Sequence, residues 1–460
     1  MQSLMQYQHA LATSFSSVLG KSLFWLGSAQ VLGRIVRLAS SIIIARLLTP
    51  EIFGQVAIIL TTFEIICTPT RRISSAALIK MDDEQLKQSL HAANQVNWLA
   101  ACTAFVAMSL LSWPLAIYFN DSQLILPMIL MATSYLLLPL GMLYAAMNLR
   151  ANKMRIVGRA VLWQTLFDGM LTAIFALLGL GIWAIILPKI IVIFIWIGVH
   201  RYHNPLPETL TPEVEKQACS QHLSRFLLSP TSIVSTRARS ILSFGLQVGL
   251  SDLAIVLRQN IDYILVGSLL GIEALGVYFF AFNASLGISL GLVQSYGTAL
   301  YSHLCQSSDK SKSQHETASN QYSHIQQKYV QSLKFIMLLT VPIIGLQALL
   351  APLYVPFIYG QKWLDAGAIP IFILLCLSGL VRPLGEAASQ YLISIGKSKF
   401  NLACNSGFTL ILIAVISVSS QFGLQGVALG VLLVHLILMP SLTLYIQSNL
   451  IRPNDCKVDH

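Results

Sequence analysis

Apolar residues in this chain fall into long unbroken runs separated by short polar gaps, not into the alternation of strands or the heptads of a coiled coil. A helix needs about 20 apolar residues to cross a bilayer. Roughly twelve such runs occur, over 23–48, 52–79, 93–118, 124–147, 160–178, 182–200, 241–267, 275–301, 331–357, 368–393, 400–420 and 424–447. Six runs, a polar stretch and six more runs predict an all-α polytopic membrane protein with two six-helix lobes. An even number of crossings per lobe inserts both lobes with the same orientation, so they are expected to be parallel repeats about an axis along the membrane normal. The expected organisation is a cytoplasmic tail over 1–21, an N-terminal lobe over 22–200, a cytoplasmic linker over 201–240, a C-terminal lobe over 241–447 and a cytoplasmic tail over 448–460.

The polar gaps carry a duplication. Leu47-Leu48-x-x-Glu51-x-x-Gly54 recurs as Leu269-Leu270-x-x-Glu273-x-x-Gly276. In the first copy Thr49 can cap a helix whose first residue is Pro50, and Glu51 puts a carboxylate at its positive end. In the second, Gly271 can take the left-handed backbone that stops a helix. A weaker echo joins Leu180-Gly181-Ile182-Trp183-Ala184 to Gln425-Gly426-Val427-Ala428. Read alone, these are turns between packed helices, and they mark internal repetition of the kind transporters show. Gly245-x-x-x-Gly249 and Gly287-x-x-x-Gly291 are spaced for close helix packing.

Composition agrees with the pattern. The chain is 55% hydrophobic and 10% charged, where a soluble domain has about 25% charged residues. Its net charge of +10 would suit nucleic acid, but the lysines and arginines gather in the inward connections and tails, leaving Lys362 on the outward side and Arg46 at a helix end. That asymmetry is the positive-inside rule. It predicts cytoplasmic termini in a bacterial inner membrane, and no nucleic-acid partner. Residues 1–21, polar and serine-rich, are not expected to form a cleavable signal peptide. Seven cysteines without metal spacing imply neither a disulfide framework nor a metal site, and no cofactor is expected. Outward connections of about ten residues or fewer leave no room for the solvent-side acid/base or metal chemistry of a glycan polymerase or glycosyltransferase.

Ionisable residues inside spans each cost about 2.5–3.5 kcal/mol on insertion scales and therefore mark function or pairing. Arg34 and Arg37 share one face near mid-depth of the first span, with no acid at helical spacing. Glu64 on the second span lies at matched depth, and one carboxylate cannot neutralise two guanidiniums. Arg258 and Arg382 each have an acid four residues on, Asp262 and Glu386, spaced for intrahelical salt bridges. Arg71 and Arg72 sit near the inner end of span two. Lys189 near the outer end of span six is expected to snorkel to the interface. Asp168, Asp252 and Glu64 are candidate proton or cation sites or charge partners, and His435 reads as hydrogen-bonded packing. Unpaired guanidiniums in a low-dielectric cavity suit phosphate, which they bind bidentately; a soluble anion and a lipid-linked diphosphate both satisfy that chemistry.

Ala45-Arg46-Leu47-Leu48-Thr49-Pro50-Glu51-Ile52-Phe53-Gly54, followed one span later by Ser75-Ala76-Ala77-Leu78-Ile79, resembles the opening of the polysaccharide biosynthesis family. These are the Wzx-type flippases of the multidrug/oligosaccharidyl-lipid/polysaccharide (MOP) exporter superfamily. Phe244-Gly245, Asp262 before Leu265-x-Gly267, and Leu275-Gly276-x-Tyr278 match in the second lobe. Arg71-Arg72-Ile73 stands where many members carry Asp-x-Gly. The resemblance implies a MATE-like MOP fold and a non-enzymatic flippase driven by an ion gradient or membrane potential. Such a flippase moves an undecaprenyl-diphosphate-linked oligosaccharide to the periplasmic leaflet, with Arg34 and Arg37 the best match for diphosphate binding. Arg258, Arg382, Arg71 and Arg72 are further substrate-binding candidates; Glu64, Asp168, Asp252, Asp262 and Glu386 are the ion-coupling or charge-partner candidates. Membrane lipids are partners, the polymerase and chain-length regulator of the same pathway are candidate partners, and a monomer is expected. The rivals are a cation-coupled multidrug or metabolite antiporter, a membrane-embedded glycan polymerase, and a structural partner in glycan assembly.

Overall fold

The computed structural model describes residues 33, 36–151, 153–203, 236–313, 318–395 and 397–447, and it is helical nearly throughout. A helix α1 runs over 36–47. It is followed by α2 Pro50–Arg72, α3 Ser75–Lys80, α4 Asp83–Tyr118, α5 Ile125–Leu137, α6 Pro139–Arg150, α7 Met154–Leu177 and α8 Trp183–Tyr202. The later helices are α9 Thr236–Ser313, α10 Ala318–Tyr359, α11 Lys362–Asp365, α12 Ala368–Ser394, α13 Ser398–Ser419 and α14 Gly423–Tyr445.

Among the described residues, 8 helical stretches are long and apolar enough to cross a membrane. Two of these are double. Ala238–Gly287 has 50 residues and Lys399–Tyr445 has 47. At the helical rise 50 residues extend roughly 75 Å, more than twice the ~30 Å hydrocarbon core, so each double stretch must cross twice. The breaks sit at glycines with positive φ: Gly271 (φ 88) inside α9 and Gly423 (φ 72) before α14. The pair Ser122–Leu137 and Pro139–Arg150, bent by 50° at Leu138, passes the same test only when taken together. The described residues thus show a nearly all-helical chain with at least 8 apolar membrane-length stretches, the opening part of the first predicted run, 23–48, lying outside them.

The local chemistry of the turns follows the sequence. Thr49 Oγ1 accepts the Ile52 N–H at 3.4 Å and the Thr49 carbonyl accepts the Phe53 N–H, so Thr49 does cap α2. The weaker echo does not correspond to like backbone: Gly181 has a positive φ of 56°, its counterpart Gly426 is helical, and the positive φ of that turn falls on Gly423 at the start of α14.

The chain divides into two compact units, one of residues up to Leu48 plus Gln55–Asn260, the other of Thr49–Gly54 plus Ile261 onward. In the first, α7 packs on α8 and α4 on α5, while α3 packs on α6 in a cluster of Leu78, Leu90, Ala93, Leu143, Tyr144 and Ile241. Arg150 closes this cluster by donating to the Leu78 and Met81 carbonyls at the C-terminal end of α3. Gly245 seats on the Ile73 backbone and Gly249 on Pro69, so that small-residue pair packs as expected. Gly287 has nothing within 4 Å of a built Cβ, so it is not a close-packing site.

In the second unit, α12 packs on α14 and α10, and α13 on α14. Tyr329, Ala387, Ala388, Tyr391 and Ile446 form its core. Leu346, Leu349, Leu353 and Phe357 make an exposed apolar stripe at helical spacing along α10, the reverse of a water-facing helix and the expected face toward lipid.

Candidate functional site

The first unit holds the basic residue with the clearest chemistry. Gly33 and Gly169 let α1 approach α7: a Cβ on Gly33 would stand 3.3 Å from Thr165, and one on Gly169 would press on Ser40 and Val36. This contact fixes the rotation of α1 and leaves Arg37 exposed. Its Nε donates to the Gly33 carbonyl of its own helix at 3.3 Å, and among the described residues no carboxylate pairs with it. Arg34 lies outside the described residues. Glu64 is exposed on α2, where its carbonyl accepts the Thr68 hydroxyl at 2.8 Å. No ion pair joins Glu64 to Arg37, so the cross-helix pairing that matched depth allowed is not made there. Arg71 is exposed at the end of α2 and donates to the Cys67 thiol. The side chain of Arg72 lies outside the described residues.

The same unit contains an ion pair that sequence spacing gave no hint of. Lys189 on α8 donates to Asp168 on α7 at 2.5 Å, with side-chain exposures of 34% and 19%. Lys189 therefore does not snorkel away; it is held across the α7–α8 contact. The second carboxylate oxygen, Asp168 Oδ1, is buried without a hydrogen-bond partner. Asp252 and Arg258 lie half-buried on the first leg of α9.

The expected intrahelical pairs of Asp262 and Glu386 with arginine are replaced by hydrogen bonds to other residues. Asp262 is 6% exposed and accepts from the Tyr278 hydroxyl and the Tyr263 N–H, each at 3.0 Å, so its oxygens are taken by α9 itself and not by Arg258. Tyr263 also bonds Asn283 at 3.4 Å. Arg382 lies over the Phe282 ring at 5.5 Å and within electrostatic reach of Asp262. Glu386 accepts from Gln390 at 2.8 Å instead of pairing with Arg382. His435 bonds the Val431 carbonyl at 2.8 Å, which is packing. The carboxylates Asp168, Asp262 and Glu386 are thus engaged, while among the described residues the Arg37 guanidinium meets the Gly33 carbonyl and no carboxylate. An exposed guanidinium can hold an oxyanion by two parallel N–H bonds.

Residues 43–368 match the family described as polysaccharide biosynthesis protein. Among curated relatives, the teichuronic acid biosynthesis protein TuaB of Bacillus subtilis is 22% identical over 73% of this chain and 63% of its own length. The lipopolysaccharide biosynthesis protein WzxC of Escherichia coli is 24% identical over 43% of this chain and 37% of its own. The chain therefore spans less than two thirds of either relative. Among solved structures, the lipid II flippase MurJ in an inward closed conformation superposes with a TM-score of 0.68 at 14% identity, covering 92% of this chain and 87% of that one. At that identity the likeness concerns the fold, which is that of the MOP exporters.

Proposed function

This chain belongs to the polysaccharide biosynthesis protein family, and from that premise we propose that it is a transporter flipping a polyprenyl-diphosphate-linked oligosaccharide from the cytoplasmic to the periplasmic leaflet by alternating access. The observation that carries the reading is Arg37, exposed on a membrane helix without a carboxylate partner among the described residues. Moving a diphosphate through hydrocarbon unaided is prohibitive. A guanidinium held by its own helix, in low dielectric, offsets that cost and matches phosphate geometry.

In this account Arg37, with Arg34 beside it in sequence, binds the diphosphate. Arg71 and Arg72 receive it at the inner mouth, and Arg258 and Arg382 serve as further binding residues. Glu64 is the charge partner that balances the site when the substrate has left, and the coupling ion or proton acts there. Asp168, Asp252, Asp262 and Glu386 hold the surrounding charges in place. The polyprenyl tail stays in lipid throughout. The basic inward connections orient the chain with both termini cytoplasmic in the inner membrane. The polymerase and chain-length regulator of the glycan pathway are its partners, and no catalytic step is assigned to it.

Depletion of the protein tests the reading. Lipid-linked oligosaccharide should accumulate on the cytoplasmic leaflet while its synthesis continues. Unchanged surface glycan after depletion would sink the proposal.

A further inference from the structure

The duplicated signature has a geometry that sequence could not reveal. Its first copy turns α1 into α2, and its second contains the Gly271 break of α9. A Cβ on Gly54 would overlap the Ile272 carbonyl, and a Cβ on Gly276 would overlap the Pro50 carbonyl. The contact is reciprocal: the glycine of each copy seats on the turn that opens the other. Only a bare Cα permits this approach, and it brings Cα–H groups against carbonyl oxygens.

Beside it, Phe53 enters an aromatic socket, edge-on to Trp363 at 5.1 Å and Phe280 at 6.2 Å. Trp363 and Phe280 stack at 3.7 Å, and Tyr359 closes on Phe280 at 5.1 Å. All four rings are buried.

Thr49–Gly54 belongs to the second compact unit, while the chain before it to Leu48 and after it from Gln55 belongs to the first. The strap Thr49–Gly54 is therefore tied at both ends to chain of the first unit, while Phe53 and Gly54 within it meet residues of the second. Gly271 supplies a matching flexible point, since its φ of 88° is conformational and nothing crowds it.

We propose that the two signature copies form a latch that closes the transport path on the side opposite the basic connections, and that it parts and re-forms in each cycle. Glycine-to-carbonyl contacts suit this use, because each is weak and leaves no side chain to repack. The aromatic socket makes the closed form specific. The inference rests on the flippase reading for its purpose, but its geometry does not.

The test starts from a chain whose seven cysteines are replaced by serine and whose glycan export is confirmed. Leu275→Cys, at a position 2% exposed beside Gly276, then reports opening to a membrane-impermeant maleimide applied to spheroplasts or to inside-out vesicles. The latch predicts that Gly54→Ala, Gly276→Ala and Phe53→Ala each accelerate labelling at least about tenfold in spheroplasts and not in inside-out vesicles, at normal protein level. Phe53→Ala removes atoms, so it remains informative if the alanine-for-glycine variants fail to fold. Parental labelling rates in Phe53→Ala, or acceleration only from the inside-out side, overturn the latch. The leaflet distribution of lipid-linked oligosaccharide in the parental strain is read separately. If that distribution ignores the protein, the flippase reading fails while the labelling result still decides the latch.

Discussion

Lys189→Met offers a quantitative test of how the first unit is held together. The pair it breaks is short, 2.5 Å, and mostly buried, and Asp168 Oδ1 already lacks a partner. Without Lys189 both oxygens of a carboxylate inside a membrane span are uncompensated. Breaking a fully buried pair costs about 3–5 kcal/mol; with a third of the lysine side chain exposed, a cost of about 2–3 kcal/mol is expected. Neutralising both ends in Asp168→Asn/Lys189→Met removes the stranded charge and should recover most of that loss, because two neutral groups of similar shape need no counter-ion. The assay is a double-mutant cycle on unfolding of the protein in lipid nanodiscs, with surface glycan scored in parallel. A coupling energy of at least about 1 kcal/mol is predicted. Lys189→Met as stable as the parent, or a double variant as unstable as the single, would refute the reasoning.

Four further outcomes follow from the same geometry. Arg37→Ala should abolish surface glycan at normal protein level, and Arg37→Lys should restore only part of it, since an ammonium keeps the charge but loses the bidentate fork; an active Arg34→Ala/Arg37→Ala protein would remove both from the site. Tyr278→Phe strips a donor from the buried Asp262 carboxylate and should cost about 1.5–3 kcal/mol in thermal unfolding. Gly271→Ala forces an L side chain to φ 88° and should lower stability by about 1–3 kcal/mol. Gly287→Ala, inside a helix with open space around it, should be neutral or stabilising by up to ~1 kcal/mol in the same assay.

The length and apolarity of the runs were enough to read a polytopic helical membrane protein, because bilayer thickness leaves little freedom in what 20 apolar residues can do. The helix break at Gly271 was legible for a similar reason, since a positive φ is available to glycine at little cost, whereas the break at Gly423 was found only in the structure. Side-chain partners were less legible. Spacing of four residues permits a helical salt bridge but does not require it, and Asp262 takes a tyrosine hydroxyl 16 residues away while Glu386 takes Gln390. Asp168 and Lys189 are 21 residues apart on separate helices, and one-dimensional spacing does not say which faces of two helices meet. The signature glycines were visible as a repeat, yet their backbone-to-backbone contact depends on how two turns approach in space. Arg37 was singled out from its missing helical partner, and the Gly33 and Gly169 contacts that orient it became apparent only with α1 seated on α7.

The central claim is that the protein carries a diphosphate-linked glycan lipid across the bilayer, and reconstitution tests it most directly. Proteoliposomes holding a fluorescent polyprenyl-diphosphate oligosaccharide are challenged with an impermeant quencher, and the rate at which inner-leaflet label becomes accessible is measured. The account predicts exchange that requires the protein, falls to the protein-free rate in Arg37→Ala, and is lost when the diphosphate is replaced by a neutral linkage. Exchange at the protein-free rate with the parent protein, or equal exchange of the neutral-linkage lipid, would contradict it.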